Sequence, residues 1–124
     1  MENDSLTQLV IGICFDVHNE LRTGYAEKVY ENSLCIALRE EGFDVEQQHP
    51  IEIMFRGHVV GEYFADLIVN GELVLELKAV KALLPEHRAQ LINYLRGTNT
   101  RRGLLLNFAP PRLEVQRAYN PELS

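Results

Sequence analysis

The segment Leu73-Val74-Leu75-Glu76-Leu77-Lys78-Ala79-Val80 limits the possible folds of this chain more than any other. Its apolar density is that of a buried strand, yet it carries a carboxylate and an ammonium. Strand side chains alternate with period two, so Glu76 and Lys78 share one face and Leu73, Leu75 and Leu77 take the other. Burying charge is costly unless the charge is paired or binds a cation. The chain must therefore build a sheet around this strand and also find a use for its two charges. Asp66 closes the preceding stretch Glu62-Tyr63-Phe64-Ala65-Asp66, ten residues before Glu76.

The elements around that strand follow from periodicity. Residues 5–22 predict a helix, with Leu6, Leu9, Val10, Ile13, Cys14, Val17 and Leu21 on one face. Asp4 or Ser5 is placed to cap it, and Gly24 to end it. A second helix is expected over 26–41, with Val29, Tyr30, Leu34, Ala37 and Leu38 apolar and Gly42 as its stop. Three strands follow, at 44–55, 59–69 and 72–80, joined by turns at Arg56-Gly57-His58 and Asn70-Gly71. Pro50 marks the first of them as an edge or bulged strand. Pro85 opens a helix to about Arg96, residues 103–108 form a buried strand, and 112–119 form a final edge strand. A strand, helix and strand in succession predict a right-handed crossover, with 103–108 parallel to 72–80. The order ααβββαβ, with the edge strand after it, describes an α/β fold: a mixed sheet flanked by helices.

At 124 residues the chain is expected to form one domain. No apolar run reaches the length of a membrane span. The opening Met1-Glu2-Asn3-Asp4 is acidic, unlike a secretory leader. Cys14 and Cys35, each within a helix, read as reduced core residues, and no zinc-type spacing accompanies them. These features point to a cytoplasmic protein. The net charge of −6 argues against a general nucleic-acid binder, but the halves differ. Residues 1–62 hold 12 acids and 4 bases, whereas residues 63–124 hold 6 acids and 8 bases. Taken on charge alone, the second-half arginines read as ordinary solvated side chains.

Asp66, then Glu76-x-Lys78, matches the PD-(D/E)xK nuclease signature, with Ala65 where that signature has proline. Gly24-x-x-Glu27-x-x-Tyr30 opens the second helix, and Gln90-x-x-x-Tyr94 lies on the helix after Lys78. Together these motifs resemble the small GxxExxY family of that superfamily, over nearly the whole chain to about Phe108. The resemblance implies a restriction-endonuclease-like core and a Mg²⁺- or Mn²⁺-dependent nuclease acting on DNA, or less readily on RNA. It also allows a homodimer, since small members of the superfamily often pair. Asp66, Glu76, the Leu77 carbonyl and Glu27 would be the metal ligands. Lys78 would orient the attacking water, stabilise the developing charge or help deprotonate the water. Gln90, Tyr94, Tyr30 and His87 would face the substrate.

The chemistry agrees with that assignment. Phosphodiester hydrolysis needs an activated water and relief of charge, which one or two Mg²⁺ ions provide. Mg²⁺ takes oxygen ligands, usually one or two carboxylates with waters and phosphate. An isolated Glu-x-Lys is more often a surface pair, Glu27 also suits an early-helix acid favoured by the dipole though its site role comes first, and Tyr94 reads more readily as a core aromatic. The other reading is a nuclease-fold protein that binds nucleic acid or a protein partner and no longer cleaves.

One geometric condition separates these readings. With a plain two-residue Asn70-Gly71 loop, Val69 would pair with Glu72, and Glu76 would face away from Asp66. The metal site therefore requires a three-residue loop or a bulge between 66 and 76, with Gly71 supplying a positive φ.

Overall fold

A computed structural model describes residues 4–123; the acidic reading of residues 1–3 lies outside them. Helices α1 (Ser5–Leu21) and α2 (Glu27–Glu40) precede a meander of β1 (Val45–Phe55), β2 (His58–Val69) and β3 (Leu73–Lys78). Helix α3 (Pro85–Thr98) then leads to β4 (Arg102–Asn107) and β5 (Glu114–Tyr119). The five strands lie in the order β1-β2-β3-β4-β5. The β3–β4 pair is parallel, as the crossover predicts, and the other pairs are antiparallel. Pro50 does lie on an edge strand.

Strand β3 is buried on both faces because helices cover both. Leu73, Leu75 and Leu77 pack with Leu104, Leu106 and the apolar faces of α1 and α2. Val74 and Leu105 pack on the other side against Leu91, Tyr94 and Leu95 of α3. The crossover fits closely: a Cβ on Gly103 would lie 2.9 Å from Leu91 Cδ1 and 3.1 Å from the Val74 carbonyl oxygen. Cys14 and Cys35 are free and buried, and burial pushes the Cys14 thiol up to about 12, which suits an inert core residue.

Several local expectations change. Asp4 stands at the α1 N-cap but makes no capping bond. Its carboxylate instead pairs with Arg102 at 3.1 Å and Arg117 at 2.5 Å, tying the start of the chain to β4 and β5. The left-handed residue that ends α1 is Arg22, φ 65°, ahead of Gly24. Leu9 and Val29, expected on buried faces, are exposed. The buried stripe of α2 is Tyr30, Glu31, Leu34, Cys35 and Leu38, so it includes a carboxylate where the sequence pattern suggested Val29.

Candidate active site

The loop condition is met. Val69 pairs with Leu73, Ile68 with Val74 and Leu67 with Leu75, leaving residues 70–72 as a three-residue loop. Asn70 and Gly71 both take positive φ, 53° and 65°. Continued by one rung, this register sets Asp66 opposite Glu76, but the strands stop pairing there. Side chains replace the ladder: the Asp66 amide donates to Glu76 Oε1 at 2.9 Å, and the Leu77 amide donates to Asp66 Oδ2 at 2.9 Å. Beyond this point β2 stays with β1, and β3 runs on beside β4. The sheet forks, and the two carboxylates sit in the fork.

The fork has a local cause. Ala65 and Leu67 are two apart and should share a face, yet Ala65 packs in the α3-side core and Leu67 in the α1/α2-side core. Val45 and Ile51 of β1 are divided in the same way. Both strands therefore lose their alternation at one rung, where Gln48 faces Asp66. Gln48 has φ 56°, and the regular pairs Gln47–Leu67 and His49–Ala65 flank it. The register is the same on either side, so neither strand carries an extra residue; the positive φ of Gln48 re-aims its side chain at the one rung where the pairing is interrupted.

Because the sheet is open here, both helical layers reach the fork. From α2, Glu27 Oε2 accepts from the Ala79 amide at 3.3 Å, just past Lys78. Glu31, 4% exposed, accepts from Gln48 Nε2 at 3.1 Å, and that amide also donates to Asp66 Oδ1 at 3.2 Å. From the other face Tyr94 approaches: burial, then the Glu76 and Asp66 charges, push its phenol up to about 12. The Lys78 carbonyl accepts from the Phe108 amide at 2.8 Å on the β4 side. Successive strand carbonyls alternate in direction, so the Leu77 carbonyl points into the fork.

Both central carboxylates are destabilised as anions. Burial is the main cause for each and holds each well above the usual carboxylate range. Next for Asp66 comes the opposing bond from the Leu77 amide, then repulsion from Glu31; for Glu76 the second cause is repulsion from Asp66. Lys78 lies near enough to offset part of this for Glu76. Among the described residues no ion pair reaches either carboxylate.

Asp66, Glu76, Lys78, Glu27 and the Leu77 carbonyl therefore meet at one place, and Tyr94 borders it. Gln90 lies one turn before Tyr94, in a groove of about 770 Å³ between the β1–β2 ribbon and α3, with Tyr63 and Asn93. Two expected substrate contacts are placed elsewhere. Tyr30 is fully buried, stacked on Phe108 at 4.8 Å, and its hydroxyl donates to the Arg22 carbonyl at 2.6 Å, so it braces the α1–α2 link. His87 Nδ1 accepts from the Leu84 amide at 3.0 Å and closes the start of α3. Sequence reasoning missed Glu31 and Gln48. Glu31 was detectable as the acid four residues after Glu27 on the buried stripe of α2; nothing local in the sequence signals Gln48.

A family model described as the PD-(D/E)XK nuclease superfamily matches residues 4–118. The chain belongs to the PD-(D/E)XK nuclease superfamily. Two solved structures share the restriction-endonuclease-like fold. One is the crystal structure of SSO0001, 23% identical with a TM-score of 0.60, covering 78% of this chain and 50% of that one. The other is the alkaline exonuclease LHK-Exo from Laribacter hongkongensis, 13% identical with a TM-score of 0.57, covering 98% of this chain and 73% of that one. This PD-(D/E)XK chain thus spans half the length of SSO0001. No curated protein matches it.

PD-(D/E)XK nucleases generally use divalent metal ions, and the donor set here fits one. Among the described residues no three His, Cys, Asp or Glu side chains form a ready-made cage. Two carboxylates and a backbone carbonyl are what Mg²⁺ takes when it keeps its other positions for water and phosphate. A dication also opposes the repulsion that raises both carboxylates. Among the described residues no helix is long and apolar enough to cross a membrane.

Proposed function

We propose that this chain is a single-domain, Mg²⁺- or Mn²⁺-dependent nuclease hydrolysing phosphodiester bonds of DNA, of the GxxExxY branch of its superfamily. The observation that carries this reading is the fork. Asp66 and Glu76 meet where β2 leaves β3, in a gap lined by the Leu77 carbonyl and closed by Lys78. A structural ion pair does not need a broken ladder at that rung. The branch assignment rests on Gly24, Glu27 and Tyr30, and DNA as substrate on the kinship alone.

Asp66, Glu76 and the Leu77 carbonyl would hold the ion, with Glu27 at the rim. A bound dication supplies an activated water and charge relief at the scissile phosphate. Lys78 orients the attacking water and stabilises the negative charge that develops as the bond breaks. Tyr94, a neutral phenol at ordinary pH, is a hydrogen-bond donor toward a phosphate oxygen. Gln90, one turn away on the same helix face, offers an amide donor beside it.

The test is calorimetric titration with Mg²⁺ and Mn²⁺, with and without a short uncleavable DNA, followed by a cleavage assay. Binding that disappears in Asp66→Asn, together with cleavage by the native chain, is the expected result. No binding to the native chain even with DNA present overturns the proposal.

A further inference from the structure

We infer that Gln48 is a positioning residue for the nuclease reaction: held by Glu31, its side-chain amide fixes Asp66 in the orientation that faces Glu76. The inference rests on the proposed function and adds two residues outside the motifs.

Three independent observations support it. The first is backbone conformation. Gln48 has φ 56° with no glycine to relieve it, a conformation that L-residues adopt at a cost and that persists where the surroundings impose it. The second is hydrogen-bond accounting. A glutamine amide nitrogen has two N–H groups. Gln48 Nε2 lies 3.1 Å from both Glu31 oxygens and 3.2 Å from Asp66 Oδ1, so one hydrogen serves each carboxylate. Ionised carboxylates only accept, which fixes the NH₂ end of the side chain toward them. The third is the anchoring of Glu31. Glu31 is nearly fully buried, and its Oε2 also accepts from Gln47 Nε2 at 2.6 Å and Lys28 Nζ at 3.0 Å. The carboxylate that aims Gln48 is thus fixed on helix α2, outside the sheet.

The two oxygens of Asp66 are then held from opposite sides, Oδ2 by the Leu77 amide of β3 and Oδ1 by Gln48 of β1. This sets the carboxylate rotation across the gap where backbone pairing has ended. Without Gln48, Asp66 keeps one bond and turns about it. Partners that orient metal ligands in this way typically account for about 10- to 100-fold in metal affinity or activity.

Gln48→Gly is the informative variant, because glycine tolerates positive φ. It removes the amide while relieving the backbone, so the melting temperature should hold or rise. Calorimetry should then show Mn²⁺ affinity weakened by about 10-fold or more. Cleavage should lose kcat, with KM for DNA unchanged. Glu31→Gln should weaken Mn²⁺ binding in the native background and add nothing further in Gln48→Gly, since Glu31 acts through Gln48. Native Mn²⁺ affinity and kcat in a stable Gln48→Gly overturn this inference and leave the nuclease reading intact. A native chain that binds no Mn²⁺ and cuts nothing overturns both.

Discussion

Glu76 and Asp66 carry folded-state pKa values raised above those of the unfolded chain, burial being the first cause for each. Over the interval between the ordinary carboxylate range and the raised values, the folded chain binds more protons than the unfolded one. Stability of the metal-free protein therefore falls as pH rises through that interval and levels off above it. Glu76→Gln keeps an oxygen to accept from the Asp66 amide and removes the charge. Differential scanning calorimetry of metal-free protein should give it a higher melting temperature than the native chain at pH 8 and nearly the same one at pH 4. Asp66→Asn removes a charge too but sets an NH₂ against either the Leu77 amide or Gln48, so its gain at pH 8 should be smaller. Lower melting at pH 8 in both variants would make these carboxylates part of the scaffold. Added Mg²⁺ should reverse the order by stabilising only the native chain. Lys78→Ala tests a different role: kcat should fall by roughly 10²–10³, as for loss of a group that stabilises developing charge, with Mg²⁺ affinity changed only a few-fold. Equal losses of both would contradict that role.

Among the elements, β3 is the strand whose termination matters most. Asn107 of β4, fully buried, accepts from the Val80 amide at 3.0 Å, donates to the Val80 carbonyl at 2.8 Å and donates to Glu114 at 2.8 Å. It clamps the chain two residues past Lys78. Asn107→Ala strands those part-buried backbone groups and should cost about 1–3 kcal/mol in urea unfolding, with a loss of cleavage because the Lys78 end of β3 is released. Gly103→Ala sets a methyl group against Leu91, Leu95 and the Val74 carbonyl, which as backbone cannot move aside. It should lower stability by about 1–3 kcal/mol in the same assay, while Mg²⁺ affinity in the folded fraction stays native. The boundaries of β3 and β4 were close to legible because buried apolar runs and prolines are local signals. The side chain that ends β3 was not, since it comes from another strand.

For the molecule as a whole, three arginines of the second half are drawn into ion pairs within the fold. Arg102 and Arg117 pair with Asp4, and Arg96 pairs with Glu122 at 3.2 Å. The groove beside Tyr94 is bordered by Glu52 and Glu86 as well as Arg96. Lys78 acts on Glu76 at the fork and Lys81 follows it by three residues in the chain, and these two would give roughly two phosphate contacts. Binding of uncleavable DNA in Ca²⁺ should therefore show a shallow salt dependence, with log K falling against log salt at a slope of about −2. A slope several-fold steeper would mean that an assembled basic surface does form. Met54, Phe55, Val59, Val60 and Phe64 of the β1–β2 ribbon are exposed, and sedimentation at the same salt concentrations tests whether the expected homodimer forms.

The sequence by itself determined the order and type of every described element, the parallel crossover, and the grouping of Asp66, Glu76 and Lys78 near one strand pair. Helical and strand periods are short-range properties, and parity required a three-residue loop or a bulge if Asp66 and Glu76 were to share a face. Tertiary structure decided the fork. Its cause is a lost alternation shared by two strands at Gln48 and Asp66, held by Glu31, a helix α2 residue that lies 17 residues before Gln48 in the chain. A left-handed glutamine leaves no mark in composition or periodicity, because what sustains it is hydrogen bonding to carboxylates that only folding brings near. The same long-range closure stacked Tyr30 on Phe108 in the core and assigned Asp4 to two arginines instead of to its own helix.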